Sequence, residues 1–231
     1  MEPVPRSDCP ETIRELFAQI SPTYDLMNSA MSLRLHRRWR NLAVSMLGLS
    51  PGDRVLDVCC GTGDFAIPLR KAVKESGQIL GIDFCAPMLQ IAYKKRVPMR
   101  LALADACRIP LRSESVDGVT VGWGLRNVAD YESALREIYR VLKPGGKFVS
   151  LDMAVPRSRF SRSLRAAVFK TVIPVLAGVF GRRREYQYLP NSTNTFLSRE
   201  GQAEWMRKAG FNDVIWRDLF FGNVCIHRGK K

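Results

Sequence analysis

The chain is short of several things, and each shortage closes a class of function. Its six cysteines, Cys9, Cys59, Cys60, Cys85, Cys107 and Cys225, include no CxxC pair, so a zinc ribbon or a dithiol redox centre has no ligand spacing to rest on. No metal site is expected. Histidine occurs only at His36 and His227. No run of about 18 apolar residues appears, so no spanning helix is expected. The first ten residues are polar, carry Pro3, Pro5 and Pro10, and hold no apolar signal core. Together with unpaired cysteines in strand-like positions, this fits a reducing, cytoplasmic compartment. Acidic residues are outnumbered, 22 against 36 basic ones, for a formal charge of +14. That balance suits nucleic acid, an anionic membrane surface or a merely basic exterior.

What is present is enough for one domain. With 231 residues, 46% of them hydrophobic, a single α/β domain with elaborated ends is affordable and disorder is not expected. Residues 11–49 read as helical, with Ile13, Leu16, Phe17 and Ile20 at helical spacing, a stop at Ser21-Pro22 and a second helix over 33–47. Strand and helix then alternate. Strands are expected at 54–58, 78–82, 99–103, 116–121 and 147–151, and helices at 65–74, 87–95 and 131–142. Pro144-Gly145-Gly146 serves as a stop. A last helix at 199–209 and strands near 213–219 and 223–227 complete the chain. This order predicts a doubly wound, mostly parallel, seven-stranded sheet with ligands at the carboxyl ends of its strands. The expected division is a helical cap over 1–50, a cofactor-binding core over 51–156, a basic helical lid over 157–195 and a C-terminal helix and hairpin over 196–231.

The most informative stretch runs from Val55 to Asp64, a buried strand that enters Gly61-Thr62-Gly63. With Ala66 it fits the dinucleotide pattern G-x-G-x-x-G/A, a weak signal alone. Asp83, at the end of the next strand, is placed to accept from both hydroxyls of a ribose. Asp57 and Asp64 flank the turn, and a carboxylate at the start of the following helix opposes a pyrophosphate. It tolerates an ammonium and a sulfonium, which S-adenosylmethionine carries. Asp105 and Ala106, after the third strand, suit its adenine. The expected cofactor-binding set is Asp57, Gly61, Thr62, Gly63, Asp83, Asp105, Ala106 and Gly122.

Several further segments resemble one family. Tyr24-Asp25-Leu26-Met27-Asn28, Met31-Ser32 and His36-Arg37-Arg38-Trp39 look like the N-terminal signature of the ubiquinone/menaquinone biosynthesis C-methyltransferases (UbiE/MenG). Gly124-Leu125-Arg126-Asn127 resembles its fourth-strand motif, and Arg140 to Gly146 its second signature. Tyr186 to Ser192 and His227-Arg228-Gly229 are similar as well. The sequence departs from the family pattern at Gly122, Trp123, Asp152 and Ala154, where Ser, Phe, Glu and Ser are usual.

The resemblance implies a class I S-adenosylmethionine-dependent methyltransferase, of the type of demethylmenaquinone methyltransferase, that methylates a ring carbon of a reduced, prenylated quinone. Losing a phenolic proton makes that carbon a far better nucleophile, so the enzyme must align the reactants and favour the phenolate. Arg126 is expected to stabilise the phenolate, with Asn127 orienting a water or a ring oxygen. The bland alternative for Arg126 is a salt bridge at the strand end. Tyr24, Asn28, Trp123 and Tyr188 are the expected acceptor-binding residues, with packing as the alternative for Tyr24. His36 is read as a helix-surface or capping residue in preference to a base.

The insert at 157–185 is basic and apolar, with Pro174 expected to kink it and Arg182-Arg183-Arg184 to close it. It suits an anionic bilayer surface, a prenyl-tail channel or a plain lid. Partners are then a prenylated quinol and peripheral contact with an anionic membrane surface, with a homodimer left open and nucleic acid not expected. Three rivals stand beside this reading. They are a methyltransferase for another phenolic or lipid acceptor, an RNA methyltransferase suggested by charge alone, and a non-enzymatic S-adenosylmethionine-binding protein.

Overall fold

A computed structural model of the chain describes residues 9–172, 174, 175, 178 and 196–231. The strands are β1 (Arg54–Val58), β2 (Gln78–Asp83), β3 (Arg100–Leu103), β4 (Val116–Gly122), β5 (Leu142–Met153), β6 (Asn212–Leu219) and β7 (Val224–Lys230). They form one seven-stranded sheet in the order β3-β2-β1-β4-β5-β7-β6. Pairing is parallel from β3 to β5 and antiparallel where β7 joins β5 and β6. The order reverses between β1 and β4, the switch point at which such sheets open a crevice.

The apolar runs decide the layers. Leu56, Val58 and Ile82 face one layer with Val119 and Val121. Val55 and Ile79 face the other with Val149 and Leu151. Helix α6 (Tyr131–Val141) buries Tyr131, Ala134, Leu135, Ile138 and Val141 against the first layer, a 3.6-residue stripe. Its start is fixed by Asp130, whose carboxylate accepts from the Ser133 backbone N–H at 2.9 Å, an arrangement worth about 1 kcal/mol. Helices α3 (Leu35–Leu47) and α4 (Ala66–Val73) cover the second layer with Ala43, Val44, Leu47 and Leu69. Helix α5 (Ala86–Lys94) closes the β2–β3 crossover, and α8 (Arg199–Lys208) precedes the terminal hairpin.

One local expectation changes. Pro144-Gly145-Gly146 is not a break between helix and strand: α6 ends at Val141 and β5 spans all of Leu142–Met153 across an irregularity, with Leu142 opposite Val116 and Lys147 opposite Gly118. The segment stays in the sheet because Gly145 N–H bonds the Lys231 carbonyl and Lys231 N–H bonds the Gly146 carbonyl, each at 2.9 Å. Ser21-Pro22 does end the first helix, at Ile20. A single 3-10 turn, Ser21–Thr23, joins α1 (Pro10–Ile20) to α2 (Tyr24–Met31).

Helix α7 (Arg159–Ala167) opens the basic insert and widens into a π turn over Val168–Val172. Pro174 stands two residues beyond that turn, and a proline has no N–H for the regular helical hydrogen bond. The faces are not those of a simple amphipathic helix: Phe160 is 78% exposed whereas Arg165 is buried. The rest of the insert, including Arg182-Arg183-Arg184 and Tyr188, lies outside the described residues. No helix among the described residues is long and apolar enough to cross a membrane.

Candidate active site

A cleft opens over the carboxyl ends of β1 to β4. One wall is backbone and carboxylate: Cys59 and Gly61 after β1, Asp83 and Phe84 at β2, and Ala104, Asp105 and Ala106 after β3. The facing wall is Gly122, Trp123, Gly124, Asn127, Val128 and Ala129, after β4. Pro10, Phe17, Tyr24 and Met88 roof it from α1, α2 and α5.

The first wall is built by strand ends. Asp83 Oδ2 accepts the Gly61 N–H at 2.8 Å and Oδ1 accepts the Cys85 N–H at 2.9 Å. A carboxylate offers about four acceptor sites, so capacity is left beyond these bonds. Burial raises the Asp83 pKa while those backbone hydrogen bonds oppose the rise. Gly61 has φ +54° with open space where a Cβ would stand, so its backbone is bare toward the cleft and only glycine adopts that conformation freely. Asp105 Oδ1 accepts the Cys107 N–H at 2.8 Å.

The second wall hides its charge. Arg126 Nη1 donates to Asp152 Oδ1 at 2.5 Å and to the Trp123 carbonyl at 2.9 Å. Their side chains are 5% and 2% exposed. The guanidinium expected at a phenolate therefore sits behind the wall, in the strand-end salt bridge that was its bland alternative. Asn127 does line the cleft, with Nδ2 donating to the Trp123 carbonyl at 3.2 Å. The unusual Gly122 has a steric reason. A Cβ there would stand 2.6 Å from the Phe65 ring, so a larger residue would have to displace that phenylalanine. Asp152 is the partner of Arg126.

The remaining predicted residues lie beside the cleft. Asp57 is 1% exposed and accepts from Thr120 Oγ1 at 2.7 Å. Burial pushes its carboxyl up to about 7, against the pull of the Thr120 hydroxyl and the Arg40 charge. Thr62 is buried and donates to Asp25 Oδ1 at 2.5 Å. Gly63 turns against Val97. Asn28, on α2, buries an Nδ2 with no hydrogen-bond partner among the described residues and is not part of the cleft lining.

A charged network, which the sequence reading missed, joins the helical cap to the glycine turn. Lys95 Nζ bonds Asp25 Oδ2 at 2.8 Å and Asp64 Oδ1 at 3.2 Å, and Arg40 Nη2 lies 3.0 Å from Asp64 Oδ2. Burial opposes ionisation of Asp64, but Arg40 and Lys95 outweigh it and hold its carboxyl below the usual range. Asp64 precedes α4 and faces these cations, not the cleft. The carboxylates that face the cleft, and so oppose a diphosphate there, are Asp83 and Asp105. His36 belongs to the same network and is buried, not on the surface. Arg40 Nη1 donates to His36 Nδ1, and Nε2 lies 3.2 Å from Ser29 Oγ. Arginine can only donate, so the ring proton is assigned to Nε2. Burial and then Arg40 lower the His36 pKa to about 4, leaving it neutral near pH 7. Phe17, Phe84, Met88, Val128 and Ala129 were also not foreseen as cleft residues. Phe84 and Val128 carry the one available signal, since each directly follows a predicted site residue.

Comparison with known proteins places this architecture. Residues 7–231 match the ubiE/COQ5 methyltransferase family, and the chain belongs to that family. It is 39% identical over 229 residues to the ubiquinone/menaquinone biosynthesis C-methyltransferase UbiE of Geobacter sulfurreducens, covering 96% of this chain and 89% of that one. It is 38% identical over 225 residues to the demethylmenaquinone methyltransferase of Staphylococcus epidermidis, covering 96% and 93%. Among solved structures, a SAM-dependent methyltransferase from Thermotoga maritima superposes with a TM-score of 0.70 at 24% identity, covering 94% of this chain and 99% of that one. The [4+2]-cyclase SpnF superposes at 0.75 with 18% identity, covering 100% and 99%. A cyclase on the same frame shows that the fold alone does not fix the reaction.

Proposed function

We propose that this protein transfers a methyl group from S-adenosylmethionine to a ring carbon of a prenylated demethylmenaquinol or of the corresponding ubiquinone-pathway benzoquinol. One observation carries the reading: a single cleft sets a wall of bare backbone and carboxylates against a wall of aromatic and aliphatic groups. The cofactor fits the first wall. Asp83 has lone pairs left for ribose hydroxyls, Gly61 leaves room for close approach, and Asp105 and Ala106 lie where an adenine would rest. Asp57, Thr62 and Gly63 support that wall from behind. When bound, S-adenosylmethionine supplies the electrophilic methyl group.

The chain's own residues do the rest. Trp123, Val128 and Ala129 offer an apolar face to a quinol ring. Asn127 stands on the same wall, where its carboxamide orients a ring oxygen. Arg126 is a positioning residue: through the Trp123 carbonyl and Asp152 it fixes the 123–127 turn that presents both side chains. Tyr24 closes the front from α2, and Phe17 and Met88 help it exclude water. Tyr188 is proposed to join the acceptor side. The exposed Arg157, Arg159, Arg162 and Phe160 at the start of the insert support peripheral contact of a cytoplasmic protein with an anionic membrane face.

The test is purified protein with methyl-labelled S-adenosylmethionine and each reduced quinone precursor in turn. Label is expected in a new methyl group on a ring carbon of one of them. Transfer to neither would reject the quinol reading and favour a different phenolic or lipid acceptor. In the same preparation, the protein should co-sediment with anionic vesicles at low salt and release as salt screens the attraction.

A further inference from the structure

Trp123 begins a row of rings that leads out of the cleft. Its ring centroid is 6.1 Å from that of Trp39, on α3, in an edge-on pair. Trp39 lies 5.7 Å from Phe220, and Phe220 lies 6.0 Å from Phe221. Exposure climbs along the row to 41% at Phe220 and 78% at Phe221. Three of these four residues hold left-handed backbone, with φ of 61° at Trp123, 46° at Phe220 and 54° at Phe221. Bulky residues avoid that region, and strain of this kind persists where the surroundings enforce it, often at a binding site. The surroundings here are firm. Arg199, 4% exposed, donates from Nη2 to the Gly222 carbonyl and from Nη1 to the Val155 carbonyl, each at 2.6 Å, and ion-pairs with Asp218. That anchor fixes the 220–222 turn against the strand-end segment at Val155, itself 40% exposed.

We propose that the row Trp123–Trp39–Phe220–Phe221 is the binding track for the acceptor's isoprenoid tail, carrying it from the cleft to the protein surface. The proposal rests on the quinol reading above and deepens it. A tail fixed to a ring beside Trp123 has to leave the cleft. The other apolar residues of the roof, Phe17, Tyr24 and Met88, belong to a packed cluster with Ile20 and Met27, and the opposite wall carries Asp83 and Asp105. Trp123 and Trp39 pack along one edge on the second core layer, but among the described residues their row continues to the exposed Phe220 and Phe221, an apolar way out that starts on the acceptor wall. Flat rings at 5.7–6.1 Å spacing suit a flexible unsaturated chain, which gains contact from each ring without needing a hydrogen bond.

The test uses Phe220→Ser/Phe221→Ser, at positions exposed enough to spare the core, in detergent micelles. Two naphthoquinols with the same nucleus are compared, one with a polyprenyl tail and one with none. The KM for the tailed acceptor should rise about 10-fold, equal to about 1.4 kcal/mol, while kcat and the tail-less KM stay at wild-type values. Equal change on both acceptors, or on neither, overturns the track. An effect seen on vesicles but not in micelles assigns the rings to the bilayer and also overturns it. A direct readout separates this inference from the quinol reading. Geranylgeraniol should shift wild-type tryptophan fluorescence saturably, and the double variant should lose that response. A wild type that methylates neither quinol but keeps the saturable shift would sink the quinol reading and leave an isoprenoid track; a wild type without the shift would sink the track.

Discussion

The two walls of the cleft handle charge in opposite ways. On the β1–β3 side, Asp83 and Asp105 face the opening, each held by backbone N–H groups but with acceptor capacity left over. On the β4 side the strongest charges, Arg126 and Asp152, face each other behind the surface, and what meets the cleft is Trp123, Asn127, Val128 and Ala129. The difference matches two kinds of ligand. A polar, hydroxyl-rich molecule is read by directed hydrogen bonds. A flat, weakly polar ring is held by shape, and a naked guanidinium beside it would have to be desolvated on every turnover.

The largest expected effect comes from breaking the hidden pair. Arg126→Ala leaves Asp152 buried and uncompensated, which costs about 3–5 kcal/mol, and it frees the 123–127 turn. We expect a clear fall in Tm and a loss of turnover on the order of 100-fold, with cofactor affinity little changed. The second variant decides the cause. Arg126→Met combined with Asp152→Leu removes both charges and should recover most of the stability, since an apolar replacement of a buried pair is often neutral. If turnover recovers alongside stability, Arg126 acts by positioning. Lost turnover in a stable double variant would instead put the guanidinium's charge back into the chemistry.

That outcome bears on what was legible in the sequence. Strand ends at β1, β2 and β4, and with them Gly61, Asp83 and Gly122, follow from local signals: short apolar runs, a glycine turn, an acid at a strand's end. The direction of Arg126 does not, because it depends on Asp152, which lies 26 residues away and reaches it only once β4 and β5 are paired. The same holds for Asp64. Its place before a helix was readable, but its partners Arg40 and Lys95 come from α3 and from the end of α5, and they turn its charge away from the cleft. Pro144-Gly145-Gly146 looked like a loop on composition, and only the pairing with Lys231 shows why it remains strand. Of the family segments, Tyr24, Gly124 and Asn127 line the cleft; which atom of each side chain faces it is a tertiary fact.

The support behind the carboxylate wall offers a second, smaller effect. Asp57 has a folded pKa raised to about 7 by burial, whereas an unfolded aspartate titrates near 3.9. Between those values the native state keeps a proton that the unfolded state has released, so this group's contribution to stability is full below about pH 4 and is lost as pH rises toward 7. The slope is at most about 1.4 kcal/mol per pH unit. His36 and His227, each lowered to about 4 by burial, act the other way and lose stability as pH falls from about 6.5. Asp57→Asn keeps both histidines. The difference in unfolding free energy, wild type minus Asp57→Asn, should therefore fall between pH 4 and 7 and then level off. A flat difference across that range in denaturant titrations would show that Asp57 is ionised throughout.

The smallest effect sharpens the contrast from the polar side. Asp83→Asn keeps the size of the side chain and one oxygen, so it can still accept the Gly61 N–H that shapes the turn. It loses the charge, and the oxygen that accepted the Cys85 N–H becomes an NH2 that meets that N–H donor to donor, so Tm falls somewhat and a bound cofactor is offered one acceptor fewer. Hydrogen bonds to a charged group are worth about 1.5–3 kcal/mol and those to a neutral one about 0.5–1.5, so the loss should be on the order of 1–2 kcal/mol, or about 10-fold in the Kd for S-adenosylmethionine. Calorimetric titration measures it directly. The KM for the quinol should stay within about two-fold, because the carboxylate stands on the other wall; a matching rise in both constants would mean that the two walls move as one body and that the division between them is structural only.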